Sequence, residues 1–172
     1  MSGWAIALIL MVNFILQSTV LQFIAILGVM PDTALAIVVA LGIFTGNEQG
    51  ALIGATAGLL QDIVFGKPVG ITALSYMLIG YIVGENSGKV FKEHMVVPLI
   101  FTAVATLIKY ITVVFFNYVL GVPTSIPNYI GFYLPIEVIY NCVVSVLLYK
   151  VLYRASKRKT IKERLRIKRK GR

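Results

Sequence analysis

Apolar stretches separated by short polar breaks fill the first 153 residues of the chain. The opening stretch reaches Pro31 without a charged residue, and it is longer than the roughly 20 apolar residues that cross a bilayer core. No basic region precedes it, so we expect it to remain as a span and not to be cleaved as a signal peptide. The breaks predict six spans, at residues 3–28, 32–46, 49–65, 71–86, 95–120 and 131–153. The expected fold is therefore an all-α integral membrane protein, a six-span helical bundle.

The second and third spans are short. Residues 32–46 supply about 15 residues, which cover roughly 23 Å of a hydrocarbon core that is about 30 Å thick. The alternative to two crossings is a re-entrant hairpin that enters the membrane and returns to the same face. Both arrangements leave every later loop on the same side, so the predicted orientation does not depend on the choice.

The composition excludes several classes of protein. The chain is 58% hydrophobic and 13% charged, whereas soluble proteins average about 25% charged residues. A soluble enzyme and a disordered chain are both excluded by these values. Cys142 is the single cysteine, so the chain cannot form a disulfide within itself.

Basic residues are distributed very unevenly between the two predicted sides. With the N-terminus inside, 14 lysines and arginines fall on the cytoplasmic side and only Lys67 falls outside. Lys109 remains within the membrane. The positive-inside rule then predicts cytoplasmic N- and C-termini and an external loop at residues 123–128. The chain divides into a transmembrane domain, residues 1–153, and a basic cytoplasmic tail, residues 154–172.

The basic tail has two apolar residues, Ile161 and Leu165, at helical spacing among its cations. Such a segment is typical of an orientation anchor on anionic lipid, where each basic residue near the surface contributes about 1 kcal/mol. Contact with cytoplasmic proteins is the alternative interpretation. We do not expect nucleic acid to be a partner.

Glycine recurs at every fourth position along the third span and the loop after it, except that Asp62 occupies one step. The positions are Gly50, Gly54, Gly58, Gly66 and Gly70. Such spacing leaves one helix face almost free of side chains, so that another helix can approach closely. One interpretation is packing within this bundle; the other is a face reserved for a different protein.

Four polar residues within the spans are predicted to lie at one depth. They are Gln17, Asp62, Lys109 and Glu137, and the helical rise places the three charged ones about 10 Å from the external side of a ~30 Å core. Ionisable groups in a membrane are costly and are usually paired. We therefore expect Lys109 to approach Asp62, Glu137 or both. The cluster could fix helix register, sense a partner or ligand, or relay protons.

The chain lacks the residues that most catalysis requires. His94 is expected in a solvated loop, and Cys142 is expected to pack as a small apolar residue. No paired carboxylates or metal-spaced ligands lie outside the lipid, and the glycines are not followed by the lysine of a phosphate loop. We expect no catalytic residues, no cofactor and no metal site.

Several short motifs in the first half of the chain resemble one known family. They are Gln17 to Thr19 in span one, Pro31 and Asp32 opening span two, the glycine face at Gly50, Gly54 and Gly58, Asp62, and Gly66 followed by Gly70. Together with the chain length, this ordered set is similar to the rod shape-determining protein MreD family. The second half of the chain agrees with the family in length and hydropathy.

The resemblance implies a function and a location. The family belongs to the bacterial cytoplasmic membrane and has no established enzymatic activity. It binds the bitopic protein MreC, and it links MreB filaments to the glycosyltransferase and transpeptidase that build the lateral peptidoglycan wall. The expected function is thus a non-enzymatic scaffold of the cell-elongation machinery.

A rival hypothesis follows from the fold that the resemblance implies, which is similar to substrate-binding subunits of energy-coupling-factor vitamin transporters. Those subunits present pairs of alanines four residues apart on span one to a coupling protein. Here Ala5 is followed at that spacing by Ile9, and Ala7 by Met11. This departure weighs against transport.

Overall fold

The computed structural model describes residues 3–19, 23, 28–65, 69–88, 94–122 and 129–170. At residues 129–130 and 155–170 it describes the backbone alone. Within these residues the chain forms six α-helices and no strand. The helices are α1 (Gly3–Thr19), α2 (Thr33–Thr45), α3 (Asn47–Val64), α4 (Ile71–Glu85), α5 (Val96–Val119) and α6 (Leu134–Lys170). A 3₁₀ turn, Asn86–Gly88, follows α4, and a π-helical turn, Tyr129–Tyr133, precedes α6.

The six predicted spans correspond to the six helices, with changes at their ends. The first helix is described only to Thr19, and most of the remainder of the predicted span 3–28 lies outside the described residues. The last apolar segment ends at Arg154, next to the predicted end of the span at residue 153, and the helix itself continues to Lys170. Its 37 residues extend for about 56 Å at the helical rise, well beyond a ~30 Å core.

Helix α2 forms the centre of the molecule. Every residue from Thr33 to Ile43 is buried, and α2 packs against α1, α3, α4, α5 and α6. Its sequence is apolar on all sides, as expected for a helix enclosed by others. The short second span is therefore the core of the bundle.

Helices α3 and α4 form the closest pair in the fold. Gly46, at φ +90°, links α2 directly to α3, and the side-chain amide of Asn47 donates a 2.8 Å hydrogen bond to Glu85 at the far end of α4. A Cβ atom at Gly58 would lie only 2.5 Å from Ala73 Cα. The two backbones are in contact along this antiparallel crossing because glycines remove the side chains between them.

Among the described residues, two segments are long and apolar enough to cross a membrane by length and composition, Val96–Val119 and Gly131–Arg154. They include all of α5 and the first half of α6, which pack against each other. Their outward faces carry large exposed apolar side chains such as Ile111 and Ile139. Helix α1 is also exposed, with only Leu10 and Asn13 buried.

Candidate functional site

A buried ionic cluster lies where α2, α5 and α6 meet. Lys109, near the middle of α5, extends its ammonium group between two carboxylates: Lys109 Nζ is 2.6 Å from Asp32 Oδ2 and 2.9 Å from Glu137 Oε1. The side chains of Asp32 and Glu137 are only 5% and 9% exposed, and that of Lys109 is 23% exposed. One cation therefore joins three helices.

Asp32 is held by backbone and side-chain donors as well as by the lysine. It is the N-cap residue of α2, and its Oδ1 accepts a 2.9 Å hydrogen bond from the backbone N–H of Leu35, which satisfies a donor of the first helical turn. The buried Tyr76 hydroxyl on α4 donates to Asp32 Oδ2. The backbone N–H of Asp32 donates to Asn141 Oδ1 over 2.7 Å. These contacts fix the start of α2 against α4 and α6.

A row of buried polar side chains continues from the ionic cluster along the contact between α5 and α6. Asn141 donates through Nδ2 to Thr106 Oγ1 at 3.2 Å, and Thr106 in turn donates to the carbonyl of Thr102 at 2.9 Å. Ser145 is also buried, and its hydroxyl donates to the Cys142 carbonyl. The hydrogen bond between Asn141 and Thr106 fixes the register of the two helices. The buried hydroxyl of Thr102 has no hydrogen-bond partner among the described residues.

The ionic cluster carries more negative than positive charge. Asp32 and Glu137 contribute two carboxylates, and Lys109 contributes one ammonium group. In a low-dielectric interior each of these groups needs a partner, and removing one member of a buried pair typically costs about 3–5 kcal/mol. The cluster thus holds the three helices together, and an additional positive charge beside it would be favourable.

An open cleft borders the cluster on the side of Glu137. It has a volume of about 330 Å³ and is lined by Gly28, Val29, Met30, Tyr133 and Glu137. The lining comes from the segment before α2 and from the beginning of α6. The Glu137 carboxylate therefore forms both a contact to Lys109 and part of the cleft wall.

The structure brings together two of the residues that the sequence placed at one depth, Lys109 and Glu137, but the carboxylate that joins them is Asp32 and not Asp62. The prediction that Asp62 belongs to this cluster is wrong. Asp62 instead accepts hydrogen bonds from the backbone N–H groups of Gly70 at 2.8 Å, Thr72 at 3.3 Å and Ala73 at 3.0 Å. A carboxylate in this position satisfies otherwise unpaired donors at the start of α4 and opposes the positive end of its dipole.

Gln17 lies next to the cluster without joining it. Its Oε1 accepts a 3.4 Å hydrogen bond from Thr33 Oγ1, one residue after Asp32. Gln17 also lines a small internal cavity together with Asn13 and Gln61. The accessible volume of about 10 Å³ corresponds to roughly one water molecule.

The glycine face of α3 packs within the chain. A Cβ atom at Gly50 would collide with the carbonyl of Gly80, and one at Gly54 would collide with the backbone of Tyr76. The interpretation of this face as a surface for a different protein is therefore wrong, because α4 already covers it. Gly70 serves a turn, at φ +107° before α4, and Gly66 lies outside the described residues.

Sequence reasoning did not place Asp32, Tyr76 or Asn141 in the cluster. The sequence identified Pro31 and Asp32 only as a family motif at the beginning of a span. Both residues are buried. The length of span two was the signal that could have located Asp32, since a helix much shorter than the membrane can begin inside it. Tyr76 and Asn141 carry no such signal, because a tyrosine or an asparagine in an apolar helix has many other structural uses.

The arrangement of these residues is suited to binding a cation and to fixing the register of the helices, and not to covalent chemistry. Among the residues that the structure describes, no group of three or more His, Cys, Asp or Glu side chains is placed to hold a metal ion. Cys142 is half-buried and donates weakly to the Leu99 carbonyl. His94 lies just before α5, at the opposite end of that helix from the cleft.

Comparison with known protein families gives a match over most of the chain. A family model described as rod shape-determining protein MreD matches residues 1–157 of the 172-residue chain. No curated protein and no solved structure matches the chain. The matched range includes all six helices up to the basic part of α6, and with them the whole ionic cluster.

Proposed function

Because the chain belongs to the MreD family of rod shape-determining membrane proteins, we propose that it is a scaffold of the cell-elongation machinery and acts by binding MreC. Membership of the family implies a role in rod shape determination, and the family is not known as an enzyme family. The family match over residues 1–157 is the observation that carries the proposal. The MreC contact and the place in the wall-building assembly are the parts that go beyond it.

The packing of the bundle supports a scaffold role. Helix α2 is enclosed by five other helices, and one lysine ties α2, α5 and α6 together. Close glycine contacts join α3 to α4. A protein built in this way keeps its outward surfaces in fixed relation to one another, as a binding platform requires.

The proposed topology has six spans, with both termini in the cytoplasm and the basic end of α6 at the inner surface. The 14-to-one distribution of basic residues supports this orientation. Lys67, Lys89 and Lys92 lie outside the described residues, so this argument rests on the sequence. In this orientation the cleft beside Glu137 faces outward, and the first cations of the tail lie near anionic lipid headgroups.

The surface for MreC must lie on outward faces of the bundle, because α4 covers the glycine face of α3. The outward faces of α1 and α5 are candidates. Leu8, Met11 and Ile15 are exposed on α1, and Ile100 and Ile111 are exposed on α5. Such side chains face either lipid or the span of a partner.

Site-specific photo-crosslinking tests this proposal directly. A photoreactive amino acid is placed at Met11, at Ile111 or at Ile139, which are exposed positions on three different helices. Illumination of cells followed by affinity purification in mild detergent should recover MreC joined to at least one position and absent from the others. The positions without a crosslink are the matched controls, since all three variants change one lipid-facing residue.

Two results would contradict the scaffold. One is the absence of MreC from every crosslinked and every uncrosslinked preparation of a folded protein. The other is co-purification of an ATPase-linked coupling protein with tight, saturable binding of a vitamin, which would identify a transporter subunit.

A further inference from the structure

The cleft beside Glu137 combines a buried carboxylate with apolar walls. Its volume is about 330 Å³, and its lining contains the side chains of Val29, Met30, Tyr133 and Glu137. Val29 is buried, whereas Met30 and Tyr133 are substantially exposed. The cleft therefore leads from the surface of the bundle to one member of the ionic cluster.

The net charge of the cluster determines whether a cation or an anion is the favoured ligand. Lys109 is shared between Asp32 and Glu137, so the three groups carry one net negative charge when ionised. Asp32 also accepts from Tyr76 and Leu35. A cation in the cleft would approach Glu137 from the side opposite to the interior of the cluster and would balance the remaining charge, which is favourable in a low-dielectric site.

The lining favours an organic cation over a metal ion. Calcium takes six to eight oxygen ligands, and magnesium requires near-octahedral oxygen coordination. Among the lining residues that the structure describes, one carboxylate is accompanied by valine and methionine side chains. An ammonium group on a short aliphatic stem fits both features, because the stem can contact the apolar wall, and the ring of Tyr133 can attract the cation.

The position of the cleft indicates where such a cation comes from. Glu137 is three residues into α6, about 5 Å from its first residue by the helical rise, and Phe132 and Tyr133 are exposed just before the helix. Exposed aromatic residues at the end of a span are typical of the depth of lipid headgroups. We propose that this cleft binds the primary ammonium group of a phospholipid headgroup, that of phosphatidylethanolamine. The inference depends on membrane insertion and is independent of MreC binding.

Lipid-retention measurements test the proposal on the full-length protein. The protein is reconstituted in nanodiscs that contain phosphatidylethanolamine, phosphatidylcholine and phosphatidylglycerol in equal amounts, and retained lipids are counted by native mass spectrometry after release. We expect selective retention of phosphatidylethanolamine by the unaltered protein. Loss of a charged hydrogen bond should lower this retention about tenfold or more in Glu137→Gln. Glu48→Gln, at the other end of the bundle, is the matched control.

The Glu137→Gln variant is expected to fold, because glutamine keeps an oxygen for Lys109 and the Asp32–Lys109 pair remains neutral. Thermal unfolding in the same nanodiscs checks this. Met30→Trp provides a second variant that fills the cleft and leaves all three charged groups in place; it should also lose the retained lipid.

Soluble ethanolamine, added to nanodiscs of phosphatidylglycerol alone, shows whether the site binds a free amine or requires the lipid headgroup. Failure of millimolar ethanolamine to bind, with selective lipid retention, supports the lipid. If free ethanolamine binds in a Glu137-dependent manner and no lipid is retained selectively, the ligand is a soluble amine. This result would contradict the proposal that the ammonium group belongs to a lipid. Retention of phosphatidylcholine equal to that of phosphatidylethanolamine would contradict the requirement for a primary ammonium group. Equal retention by the unaltered protein, Glu137→Gln and Met30→Trp would overturn the site itself.

Discussion

Lys109 connects three helices through one side chain. Its ammonium group contacts carboxylates from two other helices, and one of those, Asp32, also caps α2 and accepts from Tyr76. A lysine suits this position because its three donors can serve several acceptors at once. Replacing Lys109 would leave two buried carboxylates close to each other without a cation.

Lys109→Met should destabilise the protein by about 3–5 kcal/mol, the usual cost of breaking a buried ion pair. The measurement is heat-induced loss of the monodisperse peak in size-exclusion chromatography in detergent. Lys150→Met changes an exposed lysine on α6 and should leave the midpoint almost unchanged.

Neutralising the carboxylates should recover much of this loss. The triple variant Asp32→Asn, Lys109→Met, Glu137→Gln contains no unpaired charge, and asparagine still caps a helix. Its midpoint should lie well above that of Lys109→Met. Equal midpoints for Lys109→Met and Lys150→Met would show that the cluster contributes nothing to stability.

The contact between Lys109 and Glu137 was predictable at the residue scale, but the other neighbours of these side chains were not. Counting residues from the span ends placed Lys109 and Glu137 at one level, and they are in contact. The same count placed Asp62 there, yet Asp62 faces the start of α4. Helical rise gives depth, whereas the direction of a side chain depends on which helices are adjacent. That requires long-range packing, such as the contact between Asp32 and Lys109 across 77 residues of sequence.

At the scale of elements, glycine spacing determines how closely α3 and α4 approach. The sequence predicted a bare helix face from Gly50, Gly54 and Gly58, and it left open what covers that face. The structure shows glycines on both sides, since a Cβ at Gly80 would collide with Gly50 and one at Gly84 with Gly46. Gly80 and Gly84 of α4 thus lie opposite glycines in α3 and at its N-cap.

Gly54→Ala should force α3 and α4 apart, because the added Cβ would collide with the backbone carbonyl of Tyr76. Backbone cannot turn away as a flexible side chain can, so we expect a loss of about 3 kcal/mol, at the upper end of the usual cost of overpacking. The same thermal measurement applies. Tyr76 also donates to Asp32, so movement of α4 should disturb the ionic cluster as well.

Gly3→Ala provides the matched control, since it is the same substitution in a helix where a Cβ would meet nothing within 4 Å. Its midpoint should equal that of the unaltered protein or exceed it slightly, because alanine favours the helix. A Gly54→Ala protein as stable as Gly3→Ala would show that α3 and α4 do not cross closely in the membrane.

The buried position of α2 was the least predictable feature of an element. Its uniformly apolar sequence is compatible with a lipid-facing span, a re-entrant segment or an enclosed helix, because periodicity cannot distinguish helices that are apolar on all sides. The structure encloses it on every side from Thr33 to Ile43. A helix of 13 residues spans only about 20 Å, which explains how Asp32 reaches the depth of Lys109.

For the whole molecule, the position of the basic residues and the direction of the helices give consistent expectations. The long apolar segments of α5 and α6 are antiparallel neighbours, and α6 continues into the basic segment that ends the chain. If that segment is cytoplasmic, the cleft and the beginning of α6 are external. That orientation would place the proposed ammonium site at the outer face of the membrane.

Accessibility of single cysteines in intact cells should establish the orientation. In a Cys142→Ser background, a cysteine at Ser125, in the loop that lies outside the described residues, should react with a membrane-impermeant maleimide. A cysteine at Ser156, beyond the last apolar turn of α6, should react only after the cells are opened, because the 12 basic residues from Lys150 onwards hold that end in the cytoplasm. Opened cells, in which both positions should react, control for intrinsic reactivity. Labelling of the cysteine at position 156 but not of that at position 125 in intact cells would show that the topology is the inverse of the proposed one. The cleft beside Glu137 would then face the cytoplasm.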